Sequence, residues 1–145
     1  MNKELDALLC ERYPLIFADR SGDMTKTCMV RGFECGDGWF ELIDTLCACL
    51  QSRTRNNDGP QVVAVQVKEK MGVLAFYVDQ ADEEQWGMIA MAEAMSARIC
   101  EECGAPGQVL AQGMFLTRCP AHAPAGAITS AEYYARRQVA KGDNS

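Results

Sequence analysis

Four residues constrain this chain more than any periodicity does. Cys100-Glu101-Glu102-Cys103 is a C-x2-C pair, and after fifteen intervening residues Cys119-Pro120-Ala121-His122 is a C-x2-H pair. His122 is the sole histidine. A two-residue gap lets both side chains of a tight turn reach one ion, and two such turns supply four donors in a tetrahedral array, as a structural zinc site requires. Gly104 follows Cys103, where a turn must let backbone amides face a thiolate. Val109, Leu110, Phe115 and Leu116 suit short strands beside the pairs. The spacing therefore predicts a zinc ribbon or knuckle over 100–122, with Zn2+ held in a structural role by Cys100, Cys103, Cys119 and His122. Four protein donors fill the coordination sphere and leave no position for water or substrate, and the H-x-E signature of zinc deaminases is missing, so catalytic zinc is the weaker reading. The plain alternative is three buried thiols and a histidine that share this spacing by chance.

The remaining composition sets the context of those cysteines. A chain of 145 residues, 48% hydrophobic and 23% charged, has the length and composition of one folded domain, which excludes disorder as its main state. No apolar run approaches the roughly 20 residues that cross a bilayer. The opening Met1-Asn2-Lys3-Glu4-Leu5-Asp6 carries acids where a signal peptide would be basic and then apolar, so the reading is cytoplasmic. All eight cysteines are then expected as reduced thiols rather than as a disulfide framework. The net charge of −6 argues against general binding of nucleic acid, whose affinity comes from Lys and Arg on phosphates. It fits a basic protein partner, or one that normally grips nucleic acid. Twenty acids are too few for wholesale DNA mimicry.

Periodicity predicts an α+β fold, with helices packed on a small antiparallel hairpin and a zinc module appended. Leu5, Leu8, Leu9 and Arg12 mark a first helix that Tyr13-Pro14 stops. Residues 18–36 have no clean period, with a short strand expected over Met29–Phe33. Asp37 offers a cap for a helix over about 38–52, whose positions 39, 43, 46, 47 and 50 share an apolar face. A polar loop over 51–60 follows. Val63, Val65 and Val67, then Leu74, Phe76 and Val78, alternate on either side of a Glu69-Lys70-Met71-Gly72 link, which predicts a hairpin. Asp82 and Gln85 have capping-box spacing at the head of a helix that is apolar nearly all round from Trp86 to Met95, and so is expected to be covered on more than one side. Ala123-Pro124-Ala125-Gly126 reads as a spacer before a last helix over about 130–140, opened by Thr129 and Glu132, with Gly142–Ser145 frayed. The organisation expected is a core over 1–99, a knuckle over 100–122 and a C-terminal spacer and helix over 123–145, in one compact unit.

Other chemistry is weaker. Cys10, Cys28, Cys35, Cys47 and Cys49 read as core or incidental thiols, and a cysteine nucleophile lacks a base once His122 is spent on metal. Glu34 and Asp37 could act as a carboxylate pair, but no companion base or phosphate cradle accompanies them, so a helix cap and turn residues are preferred. Lys68 and Lys70 read as a charged edge that blocks strand pairing between molecules. Arg53, Arg55, Arg136 and Arg137 are read as solubilising charge ahead of a basic patch. The methionines at 88, 91 and 95 are read as core, or, if exposed, as an adaptable surface meeting another subunit.

Three strings together resemble a known group: Cys28-Met29 with Gly32-Phe33-Glu34-Cys35-Gly36-Asp37-Gly38-Trp39; Val65 to Val78 around Lys68-Glu69-Lys70-Met71-Gly72; and Cys100, Cys103-Gly104, Pro106-Gly107, Cys119 and His122. The group comprises small proteins encoded by bacteriophages and prophages, mostly of unassigned function, and the likeness covers most of residues 10–122. It implies a bacterial cytoplasmic setting and a viral origin. Small phage proteins often bind and disable a host complex, CRISPR interference machinery among them, an implication by gene context alone. The expected function is a non-enzymatic, zinc-stabilised inhibitor that binds a host protein or ribonucleoprotein, with Glu34, Asp37, Trp39, Lys68 and Lys70 as candidate binding residues and a second copy of the chain as a further candidate partner. The alternatives are a zinc-ribbon protein acting on nucleic acid or in transcription, and an enzyme using Glu34 and Asp37.

Overall fold

A computed structural model describes residues 1–142. Its elements are α1 (Lys3–Arg12), α2 (Phe40–Asn56), β1 (Ala64–Lys70), β2 (Val73–Val78), α3 (Glu83–Ser96), β3 (Gln108–Gln112), β4 (Met114–Arg118), β5 (Ile128–Thr129) and α4 (Ser130–Gly142). This is the expected α+β class: β1 and β2 form one antiparallel sheet, and β4-β3-β5 form a second beside the cysteine-histidine segment. None of the described helices is long and apolar enough to cross a membrane.

Helix α1 begins where Asn2 Oδ1 accepts from the Glu4 and Leu5 amides, both at 3.0 Å, and it ends before Pro14. Helix α2 buries the predicted stripe: Trp39, Ile43, Cys47 and Leu50 are fully enclosed and Leu46 nearly so. A 3-10 turn over Asp37–Trp39 leads into it. The helix runs past the expected end at 52 because its last turn is anchored. Arg53 Nε meets Asp82 at 3.0 Å and Glu84 at 2.7 Å, and the Thr54 hydroxyl donates to Pro60 O at 2.8 Å.

The hairpin is tighter than the sequence suggests. Pairing continues to Lys70 opposite Val73, so the link is Met71-Gly72 alone. Both residues lie at positive φ, 56° and 85°, the twist a two-residue hairpin turn needs. The strand expected over Met29–Phe33 is absent. Met29–Arg31 is a 3-10 turn, and extended pairing starts only at Glu34, whose amide donates to Val67 O and whose carbonyl accepts from the Glu69 amide. Gly32 at φ 78° breaks the extended path, while Arg20 holds Val30 O and the Asp6 carboxylate takes the Phe33 amide.

Helix α3 opens on the predicted Asp82–Gln85 capping box. Its expected coverage on more than one side does not occur. The buried face is narrow, comprising Gln85, Ile89, Ala92 and Ser96, while Trp86, Met91 and Met95 remain 47%, 69% and 41% exposed. The reason is what α3 closes. The outer edge of β2 presents the Leu74 and Phe76 amides, and α3 satisfies them with Ser96 Oγ at 2.8 Å and Glu93 Oε1 at 2.9 Å. A sheet edge is thereby capped by helix side chains.

The C-terminal segment adds a short strand to the second sheet before its helix. The chain turns at Pro124–Ala127 and returns Ile128–Thr129 to pair with β3. Thr129 and Glu132 then form the predicted reciprocal cap of α4. Phe115 on β4 packs edge-on to Tyr133 at 5.1 Å. Past Gly142, the expected frayed end lies outside the described residues.

Ser96 is fully buried and bonds both Leu74 N and Glu93 O. Ser96→Ala should cost about 1–3 kcal/mol, the penalty of an unpaired buried amide. Glu93→Gln, which keeps an oxygen acceptor for Phe76, should cost less. Chemical denaturation of the pair checks the order.

Candidate metal centre

Two turns bring the four donors together. In the first, the Cys100 amide donates to Ala105 O and the Gly104 amide to Cys100 O, both at 2.8 Å, with Gly104 in the left-handed region at φ 76°. In the second, the His122 amide donates to Cys119 O at 3.0 Å. Cys100 and Cys119 lie buried beneath, and Cys103 and His122 lie exposed above. All four donor atoms fall within 4.8 Å of one another. Cys103 Sγ and Cys119 Sγ are 3.7 Å apart, and His122 Nδ1 lies 3.3 Å from Cys119 Sγ and 3.7 Å from Cys100 Sγ. Tetrahedral bonds of about 2.3 Å to sulfur and 2.0 Å to nitrogen separate two sulfurs by about 3.8 Å and sulfur from nitrogen by about 3.5 Å. The observed spacings match such a shell. The short C-x2-H loop explains why Nδ1, the nitrogen nearer the backbone, turns inward.

The electrostatics suit a metal thiolate. Burial alone would raise the Cys100 pKa, but amides of Cys119, Cys103 and Glu102 pointing at its sulfur outweigh this and bring it down to about 6. Cys35 lies at the opposite extreme, where burial pushes its thiol up to about 12, and burial raises Cys47 as well. Those two remain protonated thiols at neutral pH, in keeping with packing roles. Among the described residues, Cys100, Cys103, Cys119 and His122 form the one cluster that could hold a metal ion.

The site sits on a platform that the sequence marks only as a turn. Gly36 and Gly38 lie directly beneath the first knuckle. A Cβ on Gly38 would fall on Cys100 O and the Cys103 amide, and one on Gly36 would fall on Glu101 O. The Gly38 amide donates to Glu101 O at 2.8 Å, and the Gly36 amide to the Glu101 carboxylate at 2.9 Å. The other Glu101 oxygen meets Arg118 Nη1 at 3.0 Å, with both side chains largely enclosed, and Arg118 also reaches Glu102 at 2.9 Å. The fully buried Trp39 donates from Nε1 to Ile99 O at 2.8 Å, one residue before the first ligand. On the far side, the buried Thr117 hydroxyl bonds Gly72 O at the tip of the first hairpin. Glu101, Arg118 and Thr117 escaped sequence reasoning, because their partners lie far away along the chain or belong to no motif.

Of the other candidate residues, the structure sets Glu34 beside Lys68 in a parallel bridge but gathers them into no common surface with Trp39. Trp39 offers no surface, since its indole is wholly enclosed. Asp37 does not cap its own helix through a side-chain bond. Its carboxylate instead takes the Asn2 amide at 2.7 Å and the Asn2 side-chain amide at 2.8 Å, which dock α1 and hold its pKa down. Glu34 is exposed and accepts from Gln66 Nε2 at 3.1 Å. Lys68 and Lys70 stand on strand β1 rather than in the link, and Lys70 reaches the Tyr77 hydroxyl at 3.3 Å. Glu34 and Asp37 are thus each committed to a separate structural partner. Comparison with protein-family models, curated proteins and solved structures found no match.

Two substitutions test the platform. Gly38→Ala should destabilise the fold by more than 2 kcal/mol and weaken metal retention, because the new methyl displaces the knuckle backbone. Glu101→Ala should cost about 1–3 kcal/mol by leaving the Gly36 amide unpaired, with Arg118 retaining Glu102. Thermal melts read with metal content check both; an unchanged melt for Gly38→Ala would contradict the packing described.

Proposed function

We propose that this chain is a non-enzymatic binding protein whose C-terminal third is organised by a structural Zn2+. The observation that carries this reading is the convergence of Cys100, Cys103, Cys119 and His122 at the spacing of one ligand shell. Three thiolates and one imidazole are a soft donor set with tetrahedral geometry, which suits zinc and not magnesium or calcium. Zinc there would cross-link the two turns and supply folding free energy to a module with little core of its own. A shell completed by protein donors supports a structural role over a catalytic one.

The partner reading rests on charge and on the resemblance. Residues 1–99 hold sixteen acids against ten Lys and Arg, so the whole negative surplus lies on the α+β body. Such a body can occupy a basic site on a protein or ribonucleoprotein that normally holds nucleic acid. The three shared strings supply the setting, a phage-borne protein in the bacterial cytoplasm acting against a host defence complex such as CRISPR interference machinery. A second reading, a nucleic-acid-binding zinc ribbon, is favoured by one feature: α4 carries Arg136 and Arg137 next to the Phe115–Tyr133–Tyr134 cluster, with Arg137 over the Tyr133 ring at 5.8 Å.

The purified chain should contain one zinc per molecule. Cys100→Ser should lose it and melt lower, whereas Cys49→Ser, at an exposed thiol, should change neither. Metal analysis and melting check this; full zinc retention by Cys100→Ser would remove that cysteine from the site. On the nucleic-acid side, a titration in low salt should give no binding of DNA or RNA. Binding that falls steeply with salt would favour the second reading.

A further inference from the structure

Among the described residues, the exposed face of α3 has no partner, and it carries no charge between Trp86 and Met95. Trp86, Gly87, Ala90, Met91, Ala94 and Met95 all face solvent there. The apolar surface continues past Met88 into a cavity of about 240 Å³ against α2, lined by Leu42, Leu46 and Cys49 among others. Isolated exposed apolar side chains are ordinary, but a contiguous patch of this kind marks an interface. The one ionisable residue between Trp86 and Met95, Glu93, is turned inward to the Phe76 amide.

The ends of the face say what covers it. At 100° per residue, Glu83, Gly87, Ala90, Ala94 and Arg98 fall on one line of the helix surface. Ala97 keeps helical backbone angles and the Arg98 amide bonds Met95 O, so Arg98 stays in line just beyond the helix end. Glu83 and Arg98 are both exposed, and neither has an ion-pair partner among the described residues; Glu84, by contrast, is taken by Arg53 at 2.7 Å. Glu83 and Arg98 lie equally far from the midpoint between Ala90 and Met91, as do Gly87 and Ala94. An antiparallel copy of the same helix therefore sets the acid of one chain level with the base of the other at both ends. Small residues lie level in between, where they let the two backbones approach. This is the self-complementarity that a two-fold interface demands.

We propose that the chain forms a homodimer through an antiparallel, two-fold pairing of its α3 helices, with Glu83 facing the partner's Arg98 at each end. The apolar band supplies the affinity and the end charges set the direction, since a parallel pairing would put like charges together.

Analytical ultracentrifugation of the full chain, from low micromolar to several hundred micromolar, tests this. The mass should rise toward twice the 15.9 kDa of one chain. Ala90→Glu, at an exposed position, should keep the native circular dichroism and abolish the dimer. Glu83→Arg and Arg98→Glu should each weaken association several-fold, and the two together should restore it. A monomer throughout, a dimer indifferent to Ala90→Glu, or a double reversal no better than either single one would overturn the proposal.

Discussion

The C-terminal module depends on one close contact, the backbone of Cys100–Gly104 lying directly on Gly36 and Gly38. No side chain intervenes, so the carbonyl of Glu101 can take the Gly38 amide and its carboxylate the Gly36 amide. That contact joins the ligand-bearing turn to the head of α2, whose Trp39 reaches across to Ile99. It couples two things of different origin. The body has an apolar core of its own, running from Leu9 through Ile43 and Phe76 to Ile89. The module has two short strands, a two-residue third strand and few enclosed side chains, so its order must come from its ligands and from the platform beneath.

The platform joins the turn before α2 to the knuckle. They are two halves of one interface. Residues 36–39 provide absent side chains, donated amides and an indole N–H. Residues 99–104 provide carbonyls, an enclosed carboxylate and the sulfurs. Arg118 adds a countercharge from β4, which fixes the second hairpin to the same clasp. A metal held above this clasp would draw Cys119 and His122 onto Cys100 and Cys103 and so tie all three segments at one point.

What the sequence revealed was local. The C-x2-C and C-x2-H spacings, the two capping boxes, the α2 stripe and the first hairpin each depend on residues within a few positions of one another, and their periods are readable in one dimension. What it concealed was distant. Glu101 finds Gly36 across 65 positions, and Trp39 finds Ile99 across 60. Gly36 looked like a turn residue, yet its backbone angles, φ −75° and ψ 167°, are open to any amino acid. The demand for glycine there comes from space, which only the fold defines. Helix α3 misled for a related reason. Its composition suggested burial all round, but Ser96 and Glu93 serve as caps for the outer edge of β2, and that duty leaves the opposite face uncovered by the described residues of the same chain.

The central claim is that a metal at Cys100, Cys103, Cys119 and His122 orders the knuckle, and the knuckle in turn orders the turn it rests on. Amide hydrogen exchange of the intact protein, before and after a strong zinc chelator, measures this most directly. The account predicts faster exchange at 100–122 and at the Gly36 and Gly38 amides, with the amides of α3 and the first hairpin still protected. Protection left unchanged across 100–122 after the metal has been shown to leave would contradict it.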